Sequence, residues 1–341
     1  RDWSSDVCSS DLATGPSNMP TDALFAAAKA TPYWWEDAPR APRDDTVLPR
    51  QADVVVIGGG YTGLSAARET ARAGRNTVVI DAEAIGWGCS SRNGGQVSTS
   101  IKPAFSDLSG KHNEDLAFRI RREGINALDF TRDLIRSEGI DCDWRQVGRF
   151  HAAHTRKHYD ALAAAAKDQP KGLEVAMEMV PKAEQGGELA SPLYHGGMVV
   201  PGTGAVHPAK LADGLASLAR QAGATLISHA RVDGITRDGG RLRVHTKRGD
   251  IDAGDVLIAT NGYTGTPFAW QRRRVIPIGS YILATEPLAG GAPAADGGRR
   301  PRIDDRAFGR HQPHHALEGR VRPGHGQPAE CRITDAIRPG A

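Results

Sequence analysis

Cysteine is scarce, with four in 341 residues, and no pair of them has CxxC or other ligand spacing. That argues against a disulfide framework and a thiolate metal site, and it fits a reducing, cytoplasmic setting. The histidines, among them His151, His154, His195 and His229, also lack ligand spacing, so no metal is expected. Long apolar runs are missing. None approaches the roughly 18 residues of a membrane-spanning helix, and no signal-peptide pattern is seen. A formal net charge of +3 is too small to argue for nucleic acid or an anionic membrane as partner. No internal repeat is visible, and no feature of the sequence sets the oligomeric state.

Both ends differ in character from the middle. Residues 1–12, RDWSSDVCSSDL, match the translation of a short-read sequencing adapter and are expected to be foreign to the fold. Residues 13–50 form a polar, Pro-rich arm whose Tyr33-Trp34-Trp35 is expected to pack on a domain surface, with no chemistry assigned. After Leu288 the text turns to Ala, Gly, Pro, Arg and His. Its few large apolar residues have neither helical nor strand spacing, so it is expected to be a frame-shifted or disordered tail, 289–341.

Between these ends the pattern alternates strands and helices. Ala52–Ile57 is a short Val-rich run flanked by turn residues, as in a strand buried on both faces of a parallel sheet. Leu64–Ala73 is helix-forming and stops at Gly74, and Thr77–Ile80 is a second buried strand. Strand, turn, helix and strand together take the ~30 residues of a βαβ unit. Helices are expected at Glu114–Glu138, Arg156–Lys167 and from His207-Pro208 to Gln221, the last with proline at its first position. Strands are expected at Asp143–Ala152, Tyr194–Val200, Thr225–His229, Val232–Thr236, Leu242–Thr246 and Val256–Ala259, with Asp238-Gly239-Gly240 as a hairpin turn.

The glycines after the first strand, GGGYTG, have separate jobs. Gly58 allows the turn, Gly60 lets the backbone approach a pyrophosphate, and Gly63 lets helix and strand pack closely. The helix start presents N–H groups and the positive end of its dipole to phosphates. Asp81, at the end of the second strand, is placed to accept hydrogen bonds from ribose hydroxyls and disfavours a 2′-phosphate. This unit is a dinucleotide site. By itself it does not separate NAD from FAD.

ADVVVIGGGYTGLSAA followed by GWGCSSRNGGQ resembles the DAO (glycine/D-amino-acid oxidase) family of FAD-dependent oxidoreductases. The family's second pattern is G-A-S-G-R-N-G-G. Cys89 stands for its alanine and Ser91 for its glycine, while Ser90, Arg92, Asn93, Gly94 and Gly95 match. Within that family, Ile140–Trp144 and Ala284–Leu288 resemble the gamma-glutamylputrescine oxidase branch. The resemblance is read from about residue 30 to Leu288.

The fold implied is α/β: a Rossmann-like, glutathione-reductase-type FAD domain with an interleaved α+β substrate domain, C-terminally incomplete. FAD binding is expected from 51–100 and 201–265, and a partial substrate domain from 101–200 and 266–288. The cofactor set implied is Ile57, Gly58, Gly60, Tyr61, Thr62, Gly63, Asp81, Ala82, Ser90, Ser91, Arg92, Asn93, Gly94, Gly95, Val232, Thr260, Asn261 and Gly262. Residues 90–95 would offer backbone N–H groups beside the ribityl chain and pyrophosphate. The Val232 backbone would meet the adenine, and Thr260-Asn261-Gly262 would close over the cofactor.

The activity implied is oxidative deamination of an amine or amino acid, gamma-glutamylputrescine-like, with hydride passing to flavin N5 and dioxygen giving peroxide. The partners are then a small amine and dioxygen. A quinone-linked D-amino-acid dehydrogenase and an inactive FAD-binding fragment are the rival readings. No acid–base pair stands out. Arg92 and Tyr281 are the catalytic candidates, and His207 is read as a helix-start residue.

Overall fold

The computed structural model describes residues 29, 31–42, 46–101, 103–189, 191–279, 281–284 and 317–319. At its centre is a six-stranded sheet. The first βαβ unit runs through β1 (Gln51–Ile57), α1 (Tyr61–Arg72) and β2 (Thr77–Ile80). Next come β3 (Gln96–Val97), α2 (Phe105–Lys111), α3 (Glu114–Ser137), β4 (Arg145–Gln146), β5 (Arg149–Ala152), α4 (Arg156–Lys167), β6 (Glu178–Val180), β7 (Gly197–Val200) and β8 (Gly204–Ala205). The chain returns through α5 (Pro208–Gln221), β9 (Thr225–Ile227), β10 (Val232–Asp238), β11 (Arg241–Thr246) and β12 (Gly249–Ile258), then α6 (Ala269–Arg272) and β13 (Tyr281–Leu283), with β14 at Leu317–Gly319.

The sheet order is β10-β11-β12-β1-β2-β9. β12, β1, β2 and β9 are parallel neighbours, and β10 and β11 add an antiparallel meander. Alternation along the strands divides the core into two layers. Val54, Val56 and Val79 face α1 and α5, meeting Leu64, Ala67, Leu211, Leu215 and Ala219. Val55, Ile57, Val78 and Ile80 face the meander, meeting Val244, Ile251 and Phe268. Both faces of β1 and β2 are thus covered, as their unbroken apolar runs require.

Two smaller sheets lie outside this core. β8 joins β3 and β4 in the order β3-β8-β4, and β7 sits between β5 and β6. The single strand expected at Asp143–Ala152 is in fact β4 and β5, which join different sheets. Gly148 breaks the run with φ +75°. The strand expected from Tyr194 starts at Gly197. Val256–Ala259 is the end of the ten-residue β12, whose first half reads as polar because only Ile251 and Ala253 turn inward. In the region read as a structureless tail, β14 pairs antiparallel with β13, Leu283 opposite Leu317. Backbone pairing of that kind needs no apolar alternation. The other residues from 285 onward lie outside the described set, as do residues 1–12.

Helix boundaries follow their caps. Asn113 and Thr155 accept from the third residue of α3 and α4, and His207 Nδ1 accepts from the Lys210 amide at the start of α5. Among the described residues no helix is long and apolar enough to cross a membrane.

Candidate functional site

β1, β2, β9 and β12 run parallel, so their carboxyl ends share one edge of the sheet, the position of the ligand crevice in open α/β sheets. β1 leads into Gly58 at φ +109°, a conformation strained for any residue with a Cβ. A Cβ there would stand 2.6 Å from the Ala259 carbonyl oxygen, so this turn and the one after β12 are in contact. A Cβ on Gly63 would fall 1.9 Å from the Gly58 carbonyl oxygen and 3.1 Å from Val56 Cγ1. The helix can start this close to the strand only with glycine there. Gly60 caps α1 without a side-chain hydrogen bond of its own. Ser90 Oγ accepts from the Tyr61 amide at 3.0 Å, so the loop after β2 reaches the helix start. The Tyr61 hydroxyl donates to the Pro208 carbonyl, and burial pushes its pKa up to about 12.

Asp81 ends β2. Its two oxygens accept from the Gly59 amide at 2.7 Å and the Glu83 amide at 2.9 Å. Burial raises its pKa, and those two amides pull against the rise. Thus Asp81 braces the Gly-rich turn. Beside Ala82, the Glu83 and Asp81 carbonyls accept from the His229 and Ala230 amides, which brings Val232 to this end of the sheet.

The loop from Gly86 to Gly95 is the most tightly built part of the site. Cys89–Ser91 is a 3-10 turn in which the Ser91 and Arg92 amides donate to Gly88 and Cys89. Asn93 Nδ2 donates to the Cys89 and Ser90 carbonyls, while its Oδ1 accepts from the Gly95 amide at 2.8 Å. Of the backbone donors expected to serve an anion along 90–95, three are used inside the loop. The Ser91, Arg92 and Gly95 amides are satisfied within the loop, because turning the chain this sharply uses them.

The Arg92 side chain does have groups left without partners. Its Cζ lies 3.9 Å from the Trp87 ring centroid and 5.4 Å from that of Trp35. Nε and Nη2 are buried and make no hydrogen bond among the described residues. Buried N–H groups without partners are costly, and the planar guanidinium fork fits an oxyanion. The residues present therefore suit a dinucleotide with a charged pyrophosphate.

Across the crevice, Thr260 and Asn261 turn the chain after β12, with Asn261 at φ +48°. Thr260 Oγ1 lies 2.7 Å from Thr264 Oγ1, which fixes the turn. Gly262 has open space where a Cβ would go, so no close approach requires glycine there. Thr62 is exposed on the first turn of α1, whereas Ile57 and Ser91 are buried. Tyr281 opens β13, and its side chain lies outside the described residues. Among those residues no cluster of three metal-ligating side chains occurs.

Sequence reasoning assigned no site role to four aromatics. Tyr263 follows the Thr260 turn, and its hydroxyl lies 3.2 Å from Cys89 Sγ. Trp87 meets Tyr263 edge-on at 6.0 Å. Trp35, assigned to an arm without chemistry, donates its indole N–H to Ser91 Oγ at 2.9 Å, and Trp34 donates to the Asn93 carbonyl at 3.0 Å. The surface on which the arm packs is the back of the Arg92 loop. The one signal available was aromatic residues beside two glycine-rich turns.

The profile of the family described as FAD dependent oxidoreductase (DAO) matches residues 53–335, which extends past Leu288. The chain is 34% identical over 266 residues to the probable oxidoreductase OrdL of Rhizobium meliloti (strain 1021), covering 76% of this chain and 60% of that protein. It is 31% identical over 270 residues to the gamma-glutamylputrescine oxidoreductase of Escherichia coli (strain K12), covering 78% of this chain and 60% of that one. Both relatives are therefore matched over 60% of their length. Glycine oxidase from Geobacillus kaustophilus has a similar fold, with TM-score 0.55 and 24% identity, covering 70% of this chain and 62% of that structure.

Proposed function

Because the chain belongs to the DAO family of FAD-dependent oxidoreductases, we propose that it forms the cofactor-holding part of an oxidase acting on a carbon that bears an amine. The observation that carries this is the Arg92 guanidinium, whose Nε and Nη2 lie unpaired in the loop whose Ser90 hydroxyl accepts from the Tyr61 amide at the start of α1. FAD, when bound, supplies the acceptor for hydride taken from the substrate carbon. The protein's part is to hold, orient and exclude water. The start of α1 and Arg92 would take the pyrophosphate and neighbouring oxygens, Asp81 the adenosine ribose, and the backbone at Val232 the adenine. Ile57, Gly58, Gly60, Tyr61, Thr62, Gly63, Ala82, Ser90, Ser91 and Gly94 would line the path between. Asn93 and Gly95 would keep the loop in shape, and Thr260, Asn261 and Gly262 would close the far side. An amine that enters neutral needs no dedicated base, which suits a site where no acid–base pair stands out among the described residues.

We assign the substrate to gamma-glutamylated amines, on the strength of the gamma-glutamylputrescine oxidoreductase relative and the Ile140–Trp144 segment. The experiment is in two stages. First, purified chain is titrated with FAD and followed by quenching of flavin fluorescence. Saturable binding is expected, and its absence overturns the cofactor role. Second, peroxide release from gamma-glutamylputrescine, sarcosine and D-alanine is measured in a full-length homologue of the chain. Peroxide with the first compound alone is expected. Turnover only with the other two would overturn the substrate assignment, and turnover only with an artificial acceptor under anaerobic conditions would overturn the oxidase reading.

A further inference from the structure

The arm that precedes β1 is fastened at both ends. Arg40 makes two hydrogen bonds to the Asp213 carboxylate of α5, at 2.9 and 2.8 Å. Trp34 is buried against His207, ring centroids 4.8 Å apart and edge-on, and its indole donates to the Asn93 carbonyl. Between these anchors Trp35 reaches the Ser91 hydroxyl, and its ring lies on the Arg92 guanidinium together with that of Trp87.

We propose that Trp35 is a positioning residue for the crevice: with Trp87 it brackets the Arg92 guanidinium, and through Ser91 it holds the turn that carries it, so that Nε and Nη2 are presented to an oxyanion of the bound ligand. A guanidinium stacks flat on indole faces and still keeps its in-plane N–H groups for hydrogen bonds. Stacking restricts the long arginine side chain before the ligand arrives, so less ordering is left to be done on binding. The loop could hold its turn through Asn93 alone. What Asn93 does not do is aim Arg92, because both ends of its amide are committed to the backbone of residues 89, 90 and 95. The oxyanion has two chemical sources, the cofactor's pyrophosphate or a carboxylate on the substrate.

The inference deepens the proposed function, yet its test needs no cofactor. The whole chain is treated with phenylglyoxal, and labelling of individual arginines is followed by peptide mass spectrometry. Arg92 is expected to react slowly in the unaltered chain. In Trp35→Leu it is expected to react about three- to fivefold faster, the factor for losing one stacked cation contact. Buried Arg68 and exposed Arg237 should keep their rates, which a general loosening of the fold would not allow. Should Arg68 also speed up, Trp35→Phe decides. It keeps a ring face and removes only the N–H to Ser91, with an expected rise at Arg92 of about twofold. An Arg92 rate that stays unchanged in whichever variant decides overturns the positioning role. In the unaltered chain, protection of Arg92 by inorganic pyrophosphate assigns the oxyanion to the cofactor, and protection by acetate assigns it to a substrate carboxylate. Protection by neither overturns the oxyanion site. Loss of FAD binding with these labelling results intact would count against the cofactor reading alone.

Discussion

The phenol oxygen of Tyr263 lies 3.2 Å from the thiol sulfur of Cys89, joining two loops 174 residues apart in the chain. Burial and the neighbouring thiol both raise the Tyr263 pKa, so the phenol stays protonated across the ordinary pH range. Cys89 stands at the alanine position of the second glycine-rich pattern, whereas Tyr263 belongs to neither pattern. Both sit where one loop meets the other.

Thiol reactivity should separate the two cysteines of the described fold. Cys89 is exposed, whereas Cys142 is buried with its pKa pushed up to about 11, first by burial and then by Asp143 and Asp141. Maleimide labelling of the native chain, read by peptide mapping, should mark Cys89 and spare Cys142 until denaturant is added. Prompt labelling of Cys142 in the native state would contradict its place under α1 and α5.

Two glycine-to-alanine substitutions should act in opposite directions. At Gly63 the added Cβ meets a backbone carbonyl that has no room to move, and the loss is expected to reach about 2–3 kcal/mol or more. At Gly110, inside α2, nothing lies within 4 Å of the added Cβ. Alanine there should stabilise by about 0.5–1 kcal/mol through helix propensity. Urea unfolding of the two variants measures both, and a Gly63→Ala protein of unchanged stability would contradict the close helix–strand approach.

Asn93→Ala should loosen the Arg92 loop. It removes an acceptor for the Gly95 amide and two donors to backbone carbonyls, costing about 1–3 kcal/mol where the partners stay dry. Hydrogen exchange at the Gly95 amide should speed up markedly while exchange in β1 and β2 changes little. Equal acceleration throughout would assign Asn93 to the global core instead.

Stability should fall on the acid side of neutrality because of His207. Burial, then the nearby Lys210 cation, lowers its pKa below the ordinary 6.5, with Asp143 and Asp37 opposing weakly. A base whose folded pKa is depressed contributes stability that is complete above its unfolded pKa and is lost as pH falls through that value towards the folded one. Protonating Nδ1 would also remove the acceptor for the Lys210 amide at the start of α5. Unfolding free energy should therefore decline below about pH 6.5, and His207→Asn, which retains a capping acceptor, should flatten that decline. A pH profile identical in the two proteins would remove His207 from the account.

Some of this architecture is written in short stretches of sequence. Gly58, Gly60 and Gly63 follow a Val-rich run and open a helix, and the positive φ at Gly58 and the tight contact at Gly63 are those the spacing implies. Val54 and Val56 fall on one face of β1 and Val55 and Ile57 on the other, since successive strand residues point in opposite directions. The starts of α4 and α5 follow from Thr155 and from His207-Pro208 for equally local reasons.

Which groups meet in the crevice was decided only by the folded chain. Trp35, Trp87 and Arg92 come together because an arm before β1 lies back across a loop 56 residues later, and nothing in the periodicity around Trp35 marks that contact. The backbone of residues 90–95 looked like a row of free donors, yet the 3-10 turn and the Asn93 side chain use three of them. β12 reads as polar until the meander is in place, because its inward residues are few and its partners are β11 and β1. By itself the sequence determined the features set by one residue's φ or by neighbours a few positions apart. The aim of the Arg92 guanidinium depends on surfaces from distant segments, and those exist only once the chain has packed.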